Sequence, residues 1–397
     1  MDIILKILFL SWAYPKKNTP YLGIWAHQQA LALKARGVEV DVVNMVPYIP
    51  RFLGFISDKI KRYSNIPRLE QYDGITVYHP KLIRSNPYDA LDKLLFHILS
   101  FQSGIISSVL MDWIDIKKYQ VIHAHNLFPD GVIAYLLYKR YDIPYVITLH
   151  DVDKFNRFPK RGWQRKISRL IIDHADRVFV VSNRVRDNIL PYVENERIQV
   201  LYNTFWTEER AQNLPKAKNI VTIASLIERK GIHVLLEAFY RVTAKHEDYH
   251  LTIIGNGSQL EPLKSLTRKF NLENKVTFTG TLAHQEAMDK LSRASVFCLP
   301  SWNEAFGVVY AEAMSYGIPI IGCKGEGIAD IVCDRVNGML VEPHDVDELE
   351  HTILSLIESP EYALKIGLEG KTKIRELHPD LFGEKLKGIY QEILAAR

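Results

Sequence analysis

Apolar runs of strand length alternate with amphipathic stretches of helix length along most of the chain. At the start, an apolar run at Lys6–Ser11 is followed by a helical pattern at Ile24–Arg36 and a second run at Val38–Val43. A strand, a helix and a strand in this order form a βαβ unit, which brings the two strands together in parallel. The pattern therefore predicts an α/β fold built on parallel sheets.

The alternation continues to the end of the chain with two interruptions. The further predicted strands are Val121–Ala124, Tyr145–Leu149, Arg177–Val181, Ile220–Ala224, His250–Ile254, Lys275–Thr279, Val296–Leu299 and Ile318–Ile321. The further predicted helices are Asp130–Arg140, Ile232–Lys245, Gln259–Phe270, Gln285–Ser292, Phe306–Tyr316, Asp345–Glu358 and Leu381–Ala396. Residues 47–90 read as an irregular excursion, and the polar segment Thr207–Lys218 reads as a linker. A chain of 397 residues divided in this way is expected to form two domains, at 1–205 and 206–380.

Composition places the chain among soluble globular proteins, with 47% hydrophobic and 24% charged residues. It contains no apolar run of about 18 residues, so no membrane-spanning helix is predicted. The apolar run Ile3–Leu10 is interrupted by Lys6 and lacks a small-residue cleavage site, which favours a core strand over a signal peptide. Cys298, Cys323 and Cys333 lack metal-site spacing and are expected to be reduced core residues of a cytoplasmic protein.

Charge is distributed unevenly between the two halves. Residues 1–210 contain 29 Lys and Arg against 21 Asp and Glu, and the remainder contains 21 against 25. A basic first half suggests that this half meets an anionic partner. Nucleic acid is not expected, because no recognition motif accompanies the basic residues.

The stretch from Ser301 to Met314 carries the main candidate site. Glu304 lies in a loop after a predicted strand, and Glu312 lies about two turns inside the following predicted helix. Between them, the backbone N–H groups of Phe306, Gly307 and Val308 open the helix and form an anion site. A ligand with hydroxyls at both ends and phosphates between them fits this arrangement, and a nucleotide-sugar is such a ligand.

A second candidate site follows the strand Ile220–Ala224. Lys230 lies at the start of the next predicted helix, where a cation is unfavourable unless an anion binds beside it. Its neighbour Arg229 can supply a second positive charge. The two cations are therefore expected to bind a diphosphate.

Metal ligation is not expected at either Asp-x-Asp triplet. Asp345 and Glu348 have the spacing of a helix cap, so Asp345–Asp347 is interpreted as one. Asp151 and Asp153 lie nearer the candidate site but lack the sequence context of a metal-binding Asp-x-Asp motif. A dinucleotide oxidoreductase is disfavoured, because Leu260 occupies the third glycine position after Gly255 and Gly257.

The spacing Glu304-x7-Glu312, with Ala305-Phe306-Gly307 and a later Gly317-Ile318-Pro319, resembles the signature of the retaining GT-B glycosyltransferases of family 4. The resemblance implies two Rossmann-like domains facing across a cleft, with a last helix, 381–397, that packs back on the first domain. Lys230 matches the family's diphosphate-binding lysine, Gly23 its N-terminal loop glycine, and His150 the histidine beside the donor sugar. Ser225 stands where the family usually has an arginine, which puts that residue's role in doubt. The expected site residues are therefore His150 and Glu304 as catalytic groups and Gly23, Arg229, Lys230, Glu304, Phe306, Gly307, Val308 and Glu312 as donor ligands.

The resemblance implies a metal-independent enzyme of the hexosyl type that uses a UDP- or GDP-sugar as co-substrate and no cofactor. The basic excursions at 51–84 and 154–169, with their aromatic residues, suggest an anionic membrane surface carrying a lipid-linked acceptor. The expected location is the cytoplasmic face of the plasma membrane, in cell-surface polysaccharide synthesis. Two alternatives stay open: a non-catalytic GT-B subunit, motivated by Ser225, and a nucleotide-sugar epimerase. The sugar, the base, the acceptor, the linkage and the oligomeric state do not follow from the sequence.

Overall fold

The computed structural model describes residues 4–16, 22–48, 50, 52, 55–57, 61, 63–82, 113–150, 162–192, 198–205 and 217–397. Two compact units make up the chain. The first contains Met1–Val181, Val185–Leu201 and Pro379–Arg397, and the second contains Ser182–Arg184 and Tyr202–His378. The closing segment thus belongs to the unit with which the chain begins.

The strands of the first unit are β1 (Lys6–Leu10), β2 (Glu39–Val43), β3 (Val46–Pro47), β4 (Leu69–Tyr72), β5 (Ile75–Tyr78), β6 (Lys81–Leu82), β7 (Val121–Ala124), β8 (Tyr145–Leu149), β9 (Arg177–Val180) and β10 (Ile198–Val200). The strands of the second unit are β11 (Asn219–Ile223), β12 (His250–Ile254), β13 (Val276–Gly280), β14 (Val296–Cys298), β15 (Ile320–Cys323) and β16 (Met339–Val341).

The main α-helices of the described residues, in chain order, are α1 (Ile24–Lys34), α2 (Val132–Tyr141), α3 (Gly162–Asp173), α4 (Asn183–Ile189), α5 (Ile232–Thr243), α6 (Leu260–Lys269), α7 (His284–Ser292), α8 (Val308–Ser315), α9 (Val346–Ile357), α10 (Pro360–Ile374) and α11 (Pro379–Ala395). Strands and helices alternate as the sequence pattern predicts. Among the described residues, no helix combines the length and the apolar character that crossing a bilayer requires.

The main sheet of the first unit has the order β10-β9-β8-β7-β1-β2-β5-β4, with every pair parallel except β4–β5. The strand order reverses direction between β1 and β7. In open α/β sheets ligands bind at such a switch point, outside the carboxyl ends of the strands. The loops after β1 and β7 therefore border the candidate site of this unit.

The C-terminal helix α11 is part of the core of the first unit. Its residues Phe382, Leu386 and Tyr390 share one buried cluster with Ala30 of α1 and Phe9 of β1. The hydroxyl of Tyr390 is hydrogen-bonded to Nδ1 of His123 at 2.6 Å. Because both groups are fully buried, each needs the other as a polar partner, and the helix is fixed to the sheet by that bond as well as by apolar contact.

The sheet of the second unit is parallel throughout, with the order β13-β12-β11-β14-β15-β16. The chain builds one half outward from β11 and then returns to build the other half outward from β14. Its switch point therefore lies between β11 and β14. The loops that follow these two strands carry Lys230 and Glu304, which the sequence places 74 residues apart.

Several elements differ from the sequence prediction. The excursion at 47–90 contains the hairpin β4–β5, whose turn residues Asp73 and Gly74 both have positive φ, at 49° and 72°. An Asp-Gly pair is the expected signal for such a turn, so the hairpin was predictable and the irregular assignment was wrong there. Part of the 154–169 excursion belongs to α3, and α10 and β16 were not predicted. Gly367 and Gly370 weaken the helical pattern of α10, since glycine has low helix propensity.

One cysteine also differs from expectation. Cys298 and Cys323 are free and buried, as predicted, but Cys333 is exposed. Cys333 lies in the connection between β15 and β16. Its backbone N–H donates a hydrogen bond to the side chain of Asn337 at 2.7 Å.

Candidate functional site

The second unit brings Lys230 and Glu304 together at its switch point. The loop after β11 ends in a short 3-10 turn at Glu228–Lys230, and Gly231 is the residue before α5. The loop after β14 runs alongside it, and the Trp302 N–H donates to the carbonyl of Arg229 at 2.9 Å. This backbone contact joins the two loops, so the ammonium of Lys230 directly contacts the carboxylate of Glu304.

Glu304 is a buried carboxylate whose Oε2 is in contact with three side chains. Its Oε2 accepts from the ammonium of Lys230 and from the hydroxyl of Ser301 at 2.9 Å, and Arg229 lies 3.8 Å away. Its backbone N–H donates to the carboxylate of Glu326 at 2.7 Å. Burial alone raises the pKa of Glu304, but Lys230, Arg229 and Ser301 outweigh burial and lower the pKa below the usual value of 4.5. The carboxylate is therefore ionised and fixed in orientation.

Arg229 lies beside this pair. Its guanidinium donates to the carbonyl of Asn303 at 3.0 Å and is about one-third exposed. Ser225, which stands where the family usually has an arginine, is exposed. Arg229 thus brings a second positive charge to the loop that carries Glu304.

The helix predicted from Phe306 begins two residues later. Phe306 is buried, Gly307 is the residue before the helix, and α8 starts at Val308. Gly307 has φ 77°, and a Cβ there would lie 2.6 Å from the ring of Tyr310, so both conformation and space require glycine. The predicted start was wrong because a left-handed residue cannot continue a right-handed helix. The first N–H groups of α8 lack intrahelical partners, as at any helix N-terminus, and they follow the loop of Glu304 directly in the chain.

Glu312 lies one turn inside α8 rather than two, because of the later helix start. It is almost fully buried, and its Oε1 accepts a hydrogen bond from Nε2 of His284 at 2.9 Å. His284 is the first residue of α7 and was absent from the sequence-based site. No local pattern indicates this pair, because the two residues are 28 positions apart and on different helices.

In the first unit, His150 follows β8 and belongs to a stack of imidazoles. The rings of His125 and His150 are stacked at 5.4 Å, with His125 Nδ1 3.1 Å from His150 Nε2, and His123 stacks on His125 at 4.4 Å. Burial lowers the pKa of His125 to about 3 and the pKa of His123 well below its usual value. Both rings are therefore neutral at physiological pH. His123 is a buried core residue, and Trp25 flanks His150 at 5.4 Å.

Gly23 precedes α1 in the loop after β1. Its φ is 76°, and a Cβ there would lie 1.8 Å from the carbonyl oxygen of Ala13. Glycine is required here because the backbone at residue 23 passes too close to the carbonyl of Ala13 to leave room for a side chain. The loop is also fixed by the side chain of Asn44, which donates to the carbonyls of Ser11 and Trp12 at 2.7 and 2.9 Å.

Two other sequence interpretations concern metals and charge. Asp345 caps α9 as predicted, because its Oδ1 accepts from the Glu348 N–H at 2.8 Å. Asp151 and Asp153 lie outside the described residues, as do most of the basic residues of the 154–169 excursion. Within the described part of the chain, no cluster of three or more His, Cys, Asp or Glu side chains could hold a metal ion.

Two family sequence models match consecutive parts of the chain. "Glycosyltransferase Family 4" matches residues 22–209, and "Glycosyl transferases group 1" matches residues 204–373. Together they span both units, with the junction where the structure divides them. The chain belongs to the family 4 glycosyltransferases. The conclusion agrees with the resemblance that Glu304, Glu312 and Lys230 carry in the sequence.

Individual relatives are distant but similar over nearly their full length. An uncharacterized glycosyltransferase of Methanocaldococcus jannaschii is 24% identical over 98% of this chain and 99% of the relative. TuaC of Bacillus subtilis, named for teichuronic acid biosynthesis, is 26% identical over 88% of both chains. The solved structure of Anabaena HepE in complex with UDP and glucose has a TM-score of 0.70 at 18% identity, over 98% of this chain and 100% of that one. The fold of this glycosyltransferase is therefore GT-B.

The buried pair predicts a specific effect of removing Lys230. In Lys230→Met, Glu304 loses its closest cation while remaining buried, so its pKa should rise and the free energy of unfolding should fall by about 3 kcal/mol at pH 7. The loss should shrink toward pH 4. In the wild type, the carboxylate's contribution is complete above pH 4.5 and is lost as the pH falls through the lowered pKa. In the variant, protonation removes the uncompensated charge.

Urea unfolding followed by circular dichroism at pH 7 and pH 4 measures both effects. Lys264→Met is the matched control, because Lys264 forms an exposed pair with Glu261 at 3.0 Å on α6. That variant should change stability by less than about 1 kcal/mol at either pH. Equal losses in the two variants at pH 7 would contradict the compensating role of Lys230.

Proposed function

We propose that this glycosyltransferase transfers a hexosyl group from a UDP- or GDP-sugar to a saccharide acceptor with retention of anomeric configuration. The observation that carries the proposal is the pairing of Glu304 with Lys230 and Arg229 at the switch point, in front of the first turn of α8. An ionised carboxylate suits sugar hydroxyls, and two cations beside a helix N-terminus suit a diphosphate. The donor thereby meets groups of the right charge along its length.

In the proposed mechanism, the leaving diphosphate receives positive charge from the protein alone. An ammonium carries three donors, so Lys230 can contact Glu304 and a phosphate oxygen at the same time. Arg229 and the N–H groups of Gly307 and Val308 complete the diphosphate site. Stabilising the charge that develops on the leaving group is the main way such a site accelerates the reaction. Glu304 holds the sugar, and Glu312 accepts from the ribose hydroxyls.

His150 is proposed to contact the donor sugar, as its match to the family's histidine implies. Its imidazole is oriented by the stack with His125 and by Trp25. An imidazole held in this way presents one defined nitrogen to a sugar hydroxyl. Support for a uridine donor comes from the similarity in fold to HepE, which was solved with UDP and glucose.

The acceptor is proposed to be lipid-linked and part of a cell-surface polysaccharide. The relative TuaC is named for synthesis of such a polymer. The first 210 residues carry an excess of Lys and Arg, 29 against 21 Asp and Glu, which suits an anionic membrane surface at the inner face of the plasma membrane. Phe52 and Phe55, at 74% and 84% exposure, are aromatic side chains of the kind that anchor at the interface.

The identity of the product tests this function against its alternatives. The purified chain, given an α-linked UDP- or GDP-hexose and a lipid-linked saccharide, should form an α-linked product, detectable by NMR of the anomeric proton. A nucleotide-sugar epimerase would instead convert the donor, or release free sugar, without any acceptor. A non-catalytic subunit would bind the donor and leave it intact. A β-linked product would contradict retention.

Activity should not depend on a divalent metal ion. Because Lys230, Arg229 and the start of α8 supply the positive charge, transfer should continue at an unchanged rate in excess EDTA. The measurement is release of nucleoside diphosphate with and without EDTA, on protein first dialysed against the chelator. Full loss on chelation with recovery on adding Mn²⁺ would overturn metal independence and direct attention to Asp151 and Asp153.

Membrane association should be peripheral and electrostatic. We expect sedimentation with vesicles containing anionic lipid at low salt and release at roughly 0.5 M salt, where charge interactions are screened over a few ångströms. Replacing Phe52 and Phe55 by Ser should weaken binding at low salt. The matched control replaces Leu364 and Leu368, which are 59% and 49% exposed in the second unit, by Ser. If the wild-type protein does not sediment with anionic vesicles at low salt, a soluble acceptor is favoured.

A further inference from the structure

The imidazole of His284 is the polar partner of Glu312, the residue proposed to bind the donor ribose. Glu312 projects from the second turn of α8 and is only 7% exposed, whereas His284 is 30% exposed. A carboxylate removed from water to this extent requires hydrogen-bond donors in the protein. His284 Nε2 is such a donor, at 2.9 Å from Oε1.

The position of His284 is fixed by the backbone around it. It follows β13, which pairs with β12 in the sheet. The N-terminus of α7 is held by Glu286, whose carboxylate accepts from the Ala283 N–H at 3.2 Å, and by the bond from Ala287 N–H to the Ala283 carbonyl at 3.0 Å. The imidazole therefore extends from a well-defined helix start toward α8. This arrangement differs from a flexible surface pair, because both partners are attached to regular helices.

The hydrogen bond has a consequence for what Glu312 can do. An ionised carboxylate has about four lone-pair positions on its two oxygens. The contact with His284 engages Oε1 and restricts rotation of the carboxylate plane. The lone-pair positions of Glu312 that His284 leaves open then face a ligand in one orientation. Two adjacent hydroxyls can each donate a hydrogen bond to a carboxylate held in this way. A carboxylate without this restraint would lose rotational freedom on binding.

We propose that His284 is a positioning residue of the donor site, which orients Glu312 for the 2′ and 3′ hydroxyls of the nucleotide ribose. The inference rests on the proposed function, since it assumes that Glu312 binds ribose. It adds a residue from a different helix, 28 positions earlier in the chain. In this proposal, His284 acts only through Glu312 and does not contact the sugar, the phosphates or the reacting atoms.

The test compares nucleotides with and without the two hydroxyls. Titration calorimetry measures the affinity of the wild type for UDP and GDP and for their 2′,3′-dideoxy counterparts. Glutamine places an amide nitrogen close to the position of the histidine Nε2, whereas asparagine is one carbon shorter and cannot reach it. The variants are therefore His284→Gln and His284→Asn. Their control is His246→Asn, because His246 forms a similar pair with Glu358, at 3.0 Å, where α5 and α9 end.

We expect only His284→Asn to lose the preference for UDP or GDP over the 2′,3′-dideoxy counterparts. In His284→Asn, affinity for UDP or GDP should fall about tenfold, the size expected when a charge-assisted hydrogen bond loses its geometry. Affinity for the dideoxy nucleotides should change less than about twofold. His284→Gln should retain most of the discrimination, and His246→Asn should match the wild type. A purely structural role would weaken binding of both kinds of nucleotide equally.

The outcomes separate the inference from the function on which it rests. If the wild type prefers the ribose form and His284→Asn keeps that preference in full, the positioning role is wrong and the role of Glu312 stands. If the wild type binds ribose and dideoxy forms equally, the ribose role of Glu312 is wrong, and the inference is wrong with it. If the chain binds neither UDP nor GDP, the proposed donor itself is wrong. Loss of discrimination in His284→Asn with recovery in His284→Gln supports the inference.

Discussion

The assembly of the candidate site in the second unit depends on one ionised carboxylate, Glu304, which is buried beyond the carboxyl ends of the central strands β11 and β14. Taking a carboxylate out of water costs several kcal/mol unless charge and hydrogen bonds replace the water. Glu304 receives the ammonium of Lys230, the hydroxyl of Ser301 and the nearby guanidinium of Arg229. These groups come from loops on both sides of the switch point, so the charge is compensated only when β11 and β14 are paired. The ion pair therefore couples the folding of the sheet to the assembly of the site.

The two glutamates of the candidate site are held by different chemistry. Glu304 is paired with cations, while Glu312 accepts from an imidazole at the start of another helix. The difference suits different ligand groups. Cations beside Glu304 also attract phosphate, so a carboxylate and a diphosphate can share one region. Glu312 accepts a hydrogen bond from the imidazole of His284, and a carboxylate held in this way suits a neutral, hydroxyl-bearing group such as ribose.

In the first unit, the buried imidazole of His123 has uncharged hydrogen-bond partners. His123 is hydrogen-bonded to Tyr390 and to Thr148, both at 2.6 Å, and burial keeps the pKa values of His123 and His125 below the physiological range. These two histidines therefore add no positive charge to the first unit at physiological pH. The last helix contributes one partner to this network, so α11 stabilises β7, the neighbour of the strand β8 that His150 follows.

The sequence by itself determined the alternating α/β architecture, because buried parallel strands read as continuous apolar runs and their helices as amphipathic stretches. It also indicated Lys230, Glu304 and Glu312, since the spacing and the helix start are local features of the chain. Only the tertiary structure decided which of these residues meet. The contacts of Glu304 with Lys230 and of Glu312 with His284 join residues 74 and 28 positions apart. Strand order sets such contacts, and strand order depends on pairing between distant segments, which local periodicity does not encode.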